Sequence, residues 1–340
     1  MERDLENGEP TGVFHGLGDF LSRVIPPLDD SQLDMGVKLA AQELVSCGIT
    51  TIHDSSSRND MNRWCSFERW KKNGSLRCRI IMMLGLKGFE EYEADRFSST
   101  MGKNHLRSGG VKIMLDETTG KLYPSQEVLN ELVLSIHKMG LQVAIHAVEE
   151  TTVEAACNAI EYALKILPRS DHRHRIEHCS VCPPELTERI ASLESVVVTN
   201  PAFVYFSGER YLKTVSAHQF NYLYPINSLM KKGVRVAAGS DAPVAPVDHL
   251  SGVYGAVTRK AQSGEVILVE EGITSHEALR LYTDIAASSS FEEDLKGIIA
   301  PDNLADLVVL GADPTAVPVE EIRETLVEMT ILDGEVVYER

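Results

Sequence analysis

The hydrophobic positions of this chain alternate between two periods. Apolar residues at positions 33–44 recur at helical spacing, Gly48 ends that stretch, and positions 49–54 form an apolar run too short for a helix. The same change of period recurs later, where a helical stretch begins at Pro124 and ends at Gly140 before another short apolar run. The chain is therefore predicted to alternate helices with buried strands.

Short apolar runs of this kind predict seven strands. They lie at Ile49, Ile80, Val111, Val143, Ile176, Val197 and Val236. Strands that alternate with helices indicate a parallel sheet covered by helices on its outer face. A (β/α)8 barrel of the TIM type has eight such strands, so the predicted count is one short.

The C-terminal tail follows a different pattern. Three short strands are predicted there, at Leu307–Leu310, Val327–Ile331 and Val336–Tyr338. The dipeptide Asp333-Gly334 is a hairpin signal between the last two. We expect a barrel domain over residues 1–300 and a small β appendage over residues 301–340.

Composition limits the class of protein. The 340 residues, 43% of them hydrophobic, are enough to bury one large domain. A net charge of -17 argues against a nucleic-acid or anionic-membrane surface. The six cysteines show no disulfide framework, and no apolar run approaches the length of a membrane helix. We therefore expect a cytoplasmic protein that acts on a small molecule.

Metal-binding side chains stand at the ends of three predicted strands. They are His146, His178 and Asp241. The carboxyl ends of barrel strands surround the active site, and two imidazoles with one carboxylate suit Zn2+ or a similar divalent ion. A single histidine at a strand end is more often a core or loop residue, but three such strand ends favour a metal site.

The other histidines lack this placement. His53 ends a strand beside Asp54 and is more simply interpreted as structural. The remaining ones are expected in helices or loops: His15, His105, His137, His172, His174, His218, His249 and His276.

Lys112 lies within an otherwise apolar strand, where an ammonium group is costly. A desolvated lysine loses its proton readily, and the neutral amine can add carbon dioxide to form a metal-bridging carbamate. The alternative is a lysine at the solvated start of the strand, paired with Asp116 or Glu117. The physical argument alone favours that alternative.

Five segments together resemble the amidohydrolase superfamily, and within it the amidohydrolase 3 branch that includes N-substituted formamide deformylases. They are Gly48-Ile-Thr-Thr-Ile-His-Asp54, Arg175-Ile-Glu-His178, Gly239-Ser-Asp-Ala-Pro-Val244, Ala278-Leu-Arg-Leu-Tyr-Thr283 and Ala305-Asp-Leu-Val-Val-Leu310. The resemblance runs in the same order from about Gly8 to the C-terminus. It implies a TIM-type metal-dependent hydrolase barrel.

The resemblance also implies roles for individual residues. His146 and His178 match the metal-binding histidines of the fifth and sixth barrel strands, and Lys112 matches a fourth-strand lysine that is carboxylated in parts of the superfamily. Asp241 matches the eighth-strand aspartate that binds metal and shuttles the proton. The implied cofactor is one or two divalent ions, with Zn2+ expected. The implied reaction is hydrolysis of an amide-like C–N bond by a metal-activated water.

The chain departs from the family pattern at three places. It has Asp116-Glu-Thr118 where Asp-Gly-Ser is frequent, and Ala147-Val-Glu-Glu150 where Ala-Ile-Gly-Asp is usual. Both changes alter the mouth of the barrel and therefore the expected substrate. The third departure is the first strand, since the family's His-x-His motif does not occur early in the chain. His172-Arg-His174 has that spacing but precedes the sixth strand. We therefore expect a barrel that is incomplete at its first strand, through either an internal start or natural shortening.

An incomplete barrel leaves alternatives open. The chain is either a catalytically impaired amidohydrolase-like protein or a non-catalytic scaffold, and a phosphotriesterase-like hydrolase shares the metal chemistry. Uncovered sheet edges predict a homo-oligomer or a marginally stable protein. Arg210 is a possible substrate contact, although a solvated loop arginine is the simpler interpretation.

Overall fold

All seven predicted barrel strands occur, and they form one curled parallel sheet in chain order. Their bounds are β1 Thr51–Asp54, β2 Arg79–Leu84, β3 Leu106–Met114, β4 Val143–Ala147, β5 Arg175–His178, β6 Val196–Thr199 and β7 Arg235–Ala238. The structure is a computed structural model and describes residues 3–4, 7–12, 18–95, 105–117 and 120–340. His15 and Thr118 lie outside these residues. The prediction of a TIM-type barrel of parallel strands with outer helices is confirmed.

Thirteen α-helices occur in the described part of the chain. They are α1 Gly18–Val24, α2 Asp30–Ser46, α3 Met61–Lys72, α4 Leu86–Asp95, α5 Gln126–Lys138, α6 Glu150–Ile166, α7 Pro184–Ser192, α8 Ala202–Thr214, α9 Ala217–Phe220, α10 Ile226–Lys231, α11 His249–Thr258, α12 Ser275–Tyr282 and α13 Asp284–Ser288. Short 3-10 helices lie at Val269–Glu271 and Val319–Glu324. The Thr274 hydroxyl accepts the backbone N–H of Glu277, and the Glu277 side chain accepts that of Thr274. This capping box starts α12.

The core lies between the outer face of the sheet and the helices. Val111 and Ile113 of β3 are fully buried there with Leu129 and Ile136 of α5. Because successive strand residues point to opposite faces, Lys112 between them points into the curl of the sheet. The register pairs Lys112 with Ala144 and Ala144 with Arg175, so these residues form one layer inside the barrel.

The C-terminal strands form a separate antiparallel sheet, with bounds β8 Leu307–Leu310, β9 Val327–Leu332 and β10 Glu335–Glu339. Asp306, just before β8, accepts a hydrogen bond of 2.6 Å from Nε of Arg79 on β2. The Thr330 hydroxyl donates to the carbonyl of Val45 at the end of α2, at 2.6 Å. Buried polar contacts therefore fasten this sheet to the barrel. The division into domains at residue 300 stays a prediction.

A charged segment after α13 closes the amino-terminal end of the barrel. Lys296 pairs with Glu292 at 2.5 Å and donates to the hydroxyl of Thr51 on β1 at 3.1 Å. Arg107 of β3 pairs with the same Glu292 at 3.2 Å, and both members of the Lys296–Glu292 pair are about nine-tenths buried. The predicted ligands lie at the opposite, carboxyl-terminal face of the sheet, where Asp241 is exposed.

The sheet has two edges, β1 and β7, which pair with no further strand among the residues that the structure describes. In an eight-stranded barrel these two strands would flank the remaining one. Association of two copies through these edges stays a prediction. Among the described helices, none combines the length and the apolar character that crossing a bilayer requires.

Candidate metal centre

Two of the predicted ligands meet at the carboxyl-terminal face of the sheet. His146 is the fourth residue of β4 and His178 the last residue of β5, and parallel pairing places these strand ends side by side. Their imidazole rings lie edge to face, with centroids 4.6 Å apart and planes at 75°. The sequence prediction that both histidines share one mouth agrees with this geometry.

Burial favours the neutral form of both imidazoles, which is the form that metal ligation requires. Burial, with the nearby His178 and Lys112, lowers the pKa of His146 to about 3. Burial also lowers the pKa of His178. Nδ1–H of His178 donates to Oδ1 of Asn200 at 2.7 Å, which leaves the Nε2 lone pair of His178 free. The ring nitrogens of His146 take part in no hydrogen bond within the described residues. The pair therefore fits a divalent ion in protonation state and in available lone pairs.

Asp241 follows β7 and its side chain is exposed. Its negative charge raises the pKa of both His178 and Lys112, so the carboxylate lies near both groups. No three imidazole, thiol or carboxylate groups of the described residues cluster closely enough to hold an ion on their own. The role of Asp241 as a third ligand and as the catalytic residue stays a prediction.

Lys112 is buried inside the barrel, with only 4% of the residue exposed. Burial lowers the pKa of its ammonium group, while the negative charges of Glu177 and Asp241 oppose that shift. The alternative of a solvated lysine at the start of the strand is wrong, because β3 begins at Leu106 and Lys112 lies deep within it. Lys112 therefore faces the same space as the predicted ligands.

An ion pair inside the barrel was not anticipated from the sequence. Arg175 donates through Nε and Nη2 to the two carboxylate oxygens of Glu177 at 2.7 and 3.0 Å, and both side chains are more than 90% buried. Although burial raises it, the charges of Arg175 and Lys112 hold the pKa of Glu177 at about 2. Nη1 of Arg175 also donates to Nδ1 of His53 at 3.1 Å. The available signal was the spacing of two in Arg175-Ile-Glu177, which places both charges on the inner face of one strand.

The other sequence candidates lie away from this pair. His172 and His174 are buried together with His137 at the amino-terminal end of β5, where their rings bond to one another and to backbone groups. The guanidinium of Arg210 lies 5.1 Å from the ring centroid of Tyr211 on α8. A contact between Arg210 and substrate stays a prediction.

Comparison with known proteins agrees with this architecture. The model of a family described as "Amidohydrolase family" matches residues 3–338. The chain is 27% identical to the putative amidohydrolase YtcJ of Bacillus subtilis over 98% of its own length and 67% of that protein. It is 29% identical to the N-substituted formamide deformylase of Arthrobacter pascens over 69% of its own length and 46% of that protein. The chain belongs to the amidohydrolase family, in the branch that contains these two relatives.

A solved structure shares the fold. It is an uncharacterized metal-dependent hydrolase from Pyrococcus horikoshii, with a TM-score of 0.75 and 21% identity. The alignment covers 89% of this chain and 64% of that one. The chain thus spans about two thirds or less of the length of each of these proteins.

Proposed function

We propose that this chain is a metal-dependent hydrolase of amide-like C–N bonds, with N-substituted formamides or related amides as substrates. The observation that carries the proposal is the pair His146 and His178, whose imidazoles are in edge-to-face contact at the carboxyl ends of neighbouring strands. Neutral imidazoles that converge from neighbouring strands are typical ligands of Zn2+. The name of the Arthrobacter pascens relative supports the substrate class.

In this mechanism His146 and His178 would hold a divalent ion, with Zn2+ as the expected one. Such an ion lowers the pKa of a water molecule and polarises the substrate carbonyl. Asp241 is exposed at the mouth, so its carboxylate can take the proton from the attacking water and return it to the leaving amine. Lys112 faces the same space, so a proton on its amine would add positive charge where the carbonyl oxygen becomes negative.

One observation favours a second candidate, a non-catalytic scaffold. The described residues bring two imidazoles together but no third carboxylate, imidazole or thiol into the same cluster. A centre held by two side chains would bind its ion weakly, and loss of the ion would abolish metal-dependent catalysis. The scaffold therefore predicts no metal-dependent hydrolysis under any metal loading.

The two candidates differ in a direct assay. The protein is loaded with Zn2+ or Mn2+, and release of formate from a panel of N-alkyl and N-aryl formamides is measured beside the Asp241→Asn variant. We expect the substitution to lower the rate by about 100- to 10,000-fold, because it removes the group that moves the proton. Equal rates in both proteins, or no formate from either, would refute the hydrolase proposal and support the scaffold.

We also predict that Lys112 carries no carbamate in the metal-free protein. A carbamate would place a second negative charge beside the ionised Glu177 and near Asp241 in a buried space. After incubation with 13C-bicarbonate, the 13C NMR spectrum is expected to lack a carbamate signal that disappears in Lys112→Ala. Such a signal before metal is added would contradict the prediction.

We further infer a cytoplasmic location and, through the edges β1 and β7, association of two copies. The inference of location rests on the cysteine pattern, because all six cysteines are free. The second inference rests on the unpaired edges.

A further inference from the structure

One buried amide side chain lies between the two halves of the proposed centre. Asn200 follows directly after β6 and only 3% of the residue is exposed. The strand that precedes it, β6, pairs with β5 on one side and with β7 on the other. The side chain therefore stands between the strand that ends in His178 and the strand that leads to Asp241.

Each end of the amide makes one hydrogen bond to these strands. Oδ1 of Asn200 accepts the Nδ1–H of His178 at 2.7 Å. Nδ2 of Asn200 donates to the carbonyl of Gly239 at 3.0 Å, two residues before Asp241. The two assignments agree with each other. The Gly239 carbonyl can only accept a hydrogen bond, so the amide nitrogen must face it and the amide oxygen must face the imidazole.

Of the residues in these two segments, His178, which bonds to Asn200, and Asp241, two residues after Gly239, have unusual backbone angles. The φ angle is 72° at His178 and 55° at Asp241, in the left-handed region that residues with a side chain rarely adopt. Such a conformation persists only where surrounding contacts impose it. The Asn200 amide contacts both segments at once.

We propose that Asn200 is a positioning residue of the centre. Through its oxygen it fixes His178 as the Nδ1–H tautomer and so directs the Nε2 lone pair toward an ion, and through its nitrogen it anchors the segment that carries Asp241. The effect of Asn200 on metal binding and catalysis rests on the proposed function. The tautomer of His178 and the hydrogen bond that anchors Gly239 do not. Outer hydrogen-bond partners of this kind are worth about 10- to 100-fold in metal affinity.

The tautomer is a property that can be measured without metal. The hydrogen bonds make His53, His137, His172 and His174 the Nε2–H tautomer, so His178 is expected to stand apart. The experiment records long-range 1H–15N correlations of the metal-free protein with 15N-labelled histidine, at a pH where every imidazole is neutral. His178→Gln assigns the signal.

Three variants test the two hydrogen bonds separately. Asn200→Leu removes both, whereas Asn200→Asp keeps an oxygen for Nδ1–H of His178 and removes the donor to Gly239. Thr199→Val is the matched control, because the Thr199 hydroxyl is equally buried and has no hydrogen-bond partner. Amide hydrogen exchange across residues 239–245 reports on the anchored segment.

The expected pattern is specific to each variant. In Asn200→Leu the His178 signal changes to the Nε2–H pattern and Zn2+ affinity falls by about 10- to 100-fold. In Asn200→Asp the signal stays Nδ1–H while residues 239–245 exchange faster, as they also do in the leucine variant. The control changes none of these quantities.

Other outcomes overturn the proposal. If the Nδ1–H signal of His178 persists in Asn200→Leu, Asn200 does not fix the tautomer of His178. If the leucine variant does not fold, loss of this signal in Asn200→Asp leads to the same conclusion. Unchanged exchange of residues 239–245 in Asn200→Asp refutes the anchor. Failure of the proposed function is separate, because a wild-type protein that binds no Zn2+ and hydrolyses no formamide still shows the Asn200-dependent tautomer.

Discussion

Replacing His178 by alanine is expected to lower Zn2+ affinity by at least about 100-fold. The substitution removes the imidazole whose Nε2 is left free by the hydrogen bond to Asn200, and a directly bound ligand is worth more than its outer-shell partner. Of the imidazole pair only His146 then remains, and a centre with one imidazole is not expected to retain its ion against dialysis. The measurement is calorimetric titration with Zn2+, followed by metal analysis after dialysis.

His276→Ala serves as the control for this experiment. His276 lies exposed in α12, so its loss removes a histidine without touching the barrel. We expect it to bind Zn2+ as the wild type does. Equal and negligible zinc in the wild type and in His178→Ala would show that His146 and His178 form no metal pair.

Acidification is expected to destabilise the protein steeply, through three histidines at the amino-terminal end of the barrel. Nδ1 of His174 accepts the backbone N–H of Val143 at 3.1 Å, so its proton is on Nε2, which donates to Nδ1 of His137 at 2.8 Å. His137 in turn donates from Nε2 to the carbonyl of Leu167 at 2.7 Å. In the neutral form, both nitrogens of each ring therefore have a hydrogen-bond partner.

His172 continues this cluster. Its Nδ1 accepts the backbone N–H of His174, and its Nε2 donates to the carbonyl of Leu193, both at 2.9 Å. Burial lowers the pKa of all three imidazoles, and the charge of Arg169 lowers them further, while Glu194 opposes the shift at His172. A second proton on any of these rings would be on Nδ1, which faces an N–H donor and not an acceptor.

The direction of the effect follows from these depressed pKa values. Well above pH 6.5, at about pH 8, neither the folded nor the unfolded chain protonates these rings, and their contribution to stability is complete. Below that pH the unfolded chain binds protons that the folded chain does not, so the free energy of unfolding decreases as the pH falls. Three such groups contribute up to about 4 kcal/mol per pH unit, at about 1.4 kcal/mol for each.

Urea unfolding between pH 8 and pH 5 measures this slope. His172→Gln keeps a donor for the Leu193 carbonyl but removes one titrating group, so the slope is expected to decrease by at most about 1.4 kcal/mol per pH unit. His276→Gln removes an exposed imidazole and is expected to leave the slope unchanged. An identical slope in His172→Gln and the wild type would show that this cluster is not the source.

The order of the barrel elements was predictable from local signals. Hydrophobic period and glycine stops act over a few neighbouring positions, and they place β1 to β7 close to where the structure has them. The strand ends at His146 and His178 follow from the same signals, because a parallel sheet collects its carboxyl ends at one face. The sequence by itself thus determined the fold class and the first two candidates for the centre.

Contacts between distant strands needed the tertiary structure. Three features depend on which side chains face one another across the curl of the sheet. They are the burial of Lys112, the hydrogen bonds of Arg175 to Glu177 and His53, and the two hydrogen bonds of Asn200. Local periodicity assigns a residue to a face of a strand but not to a partner on another strand. Register and curvature set that pairing, because they bring together polar groups whose burial is tolerated only when they meet.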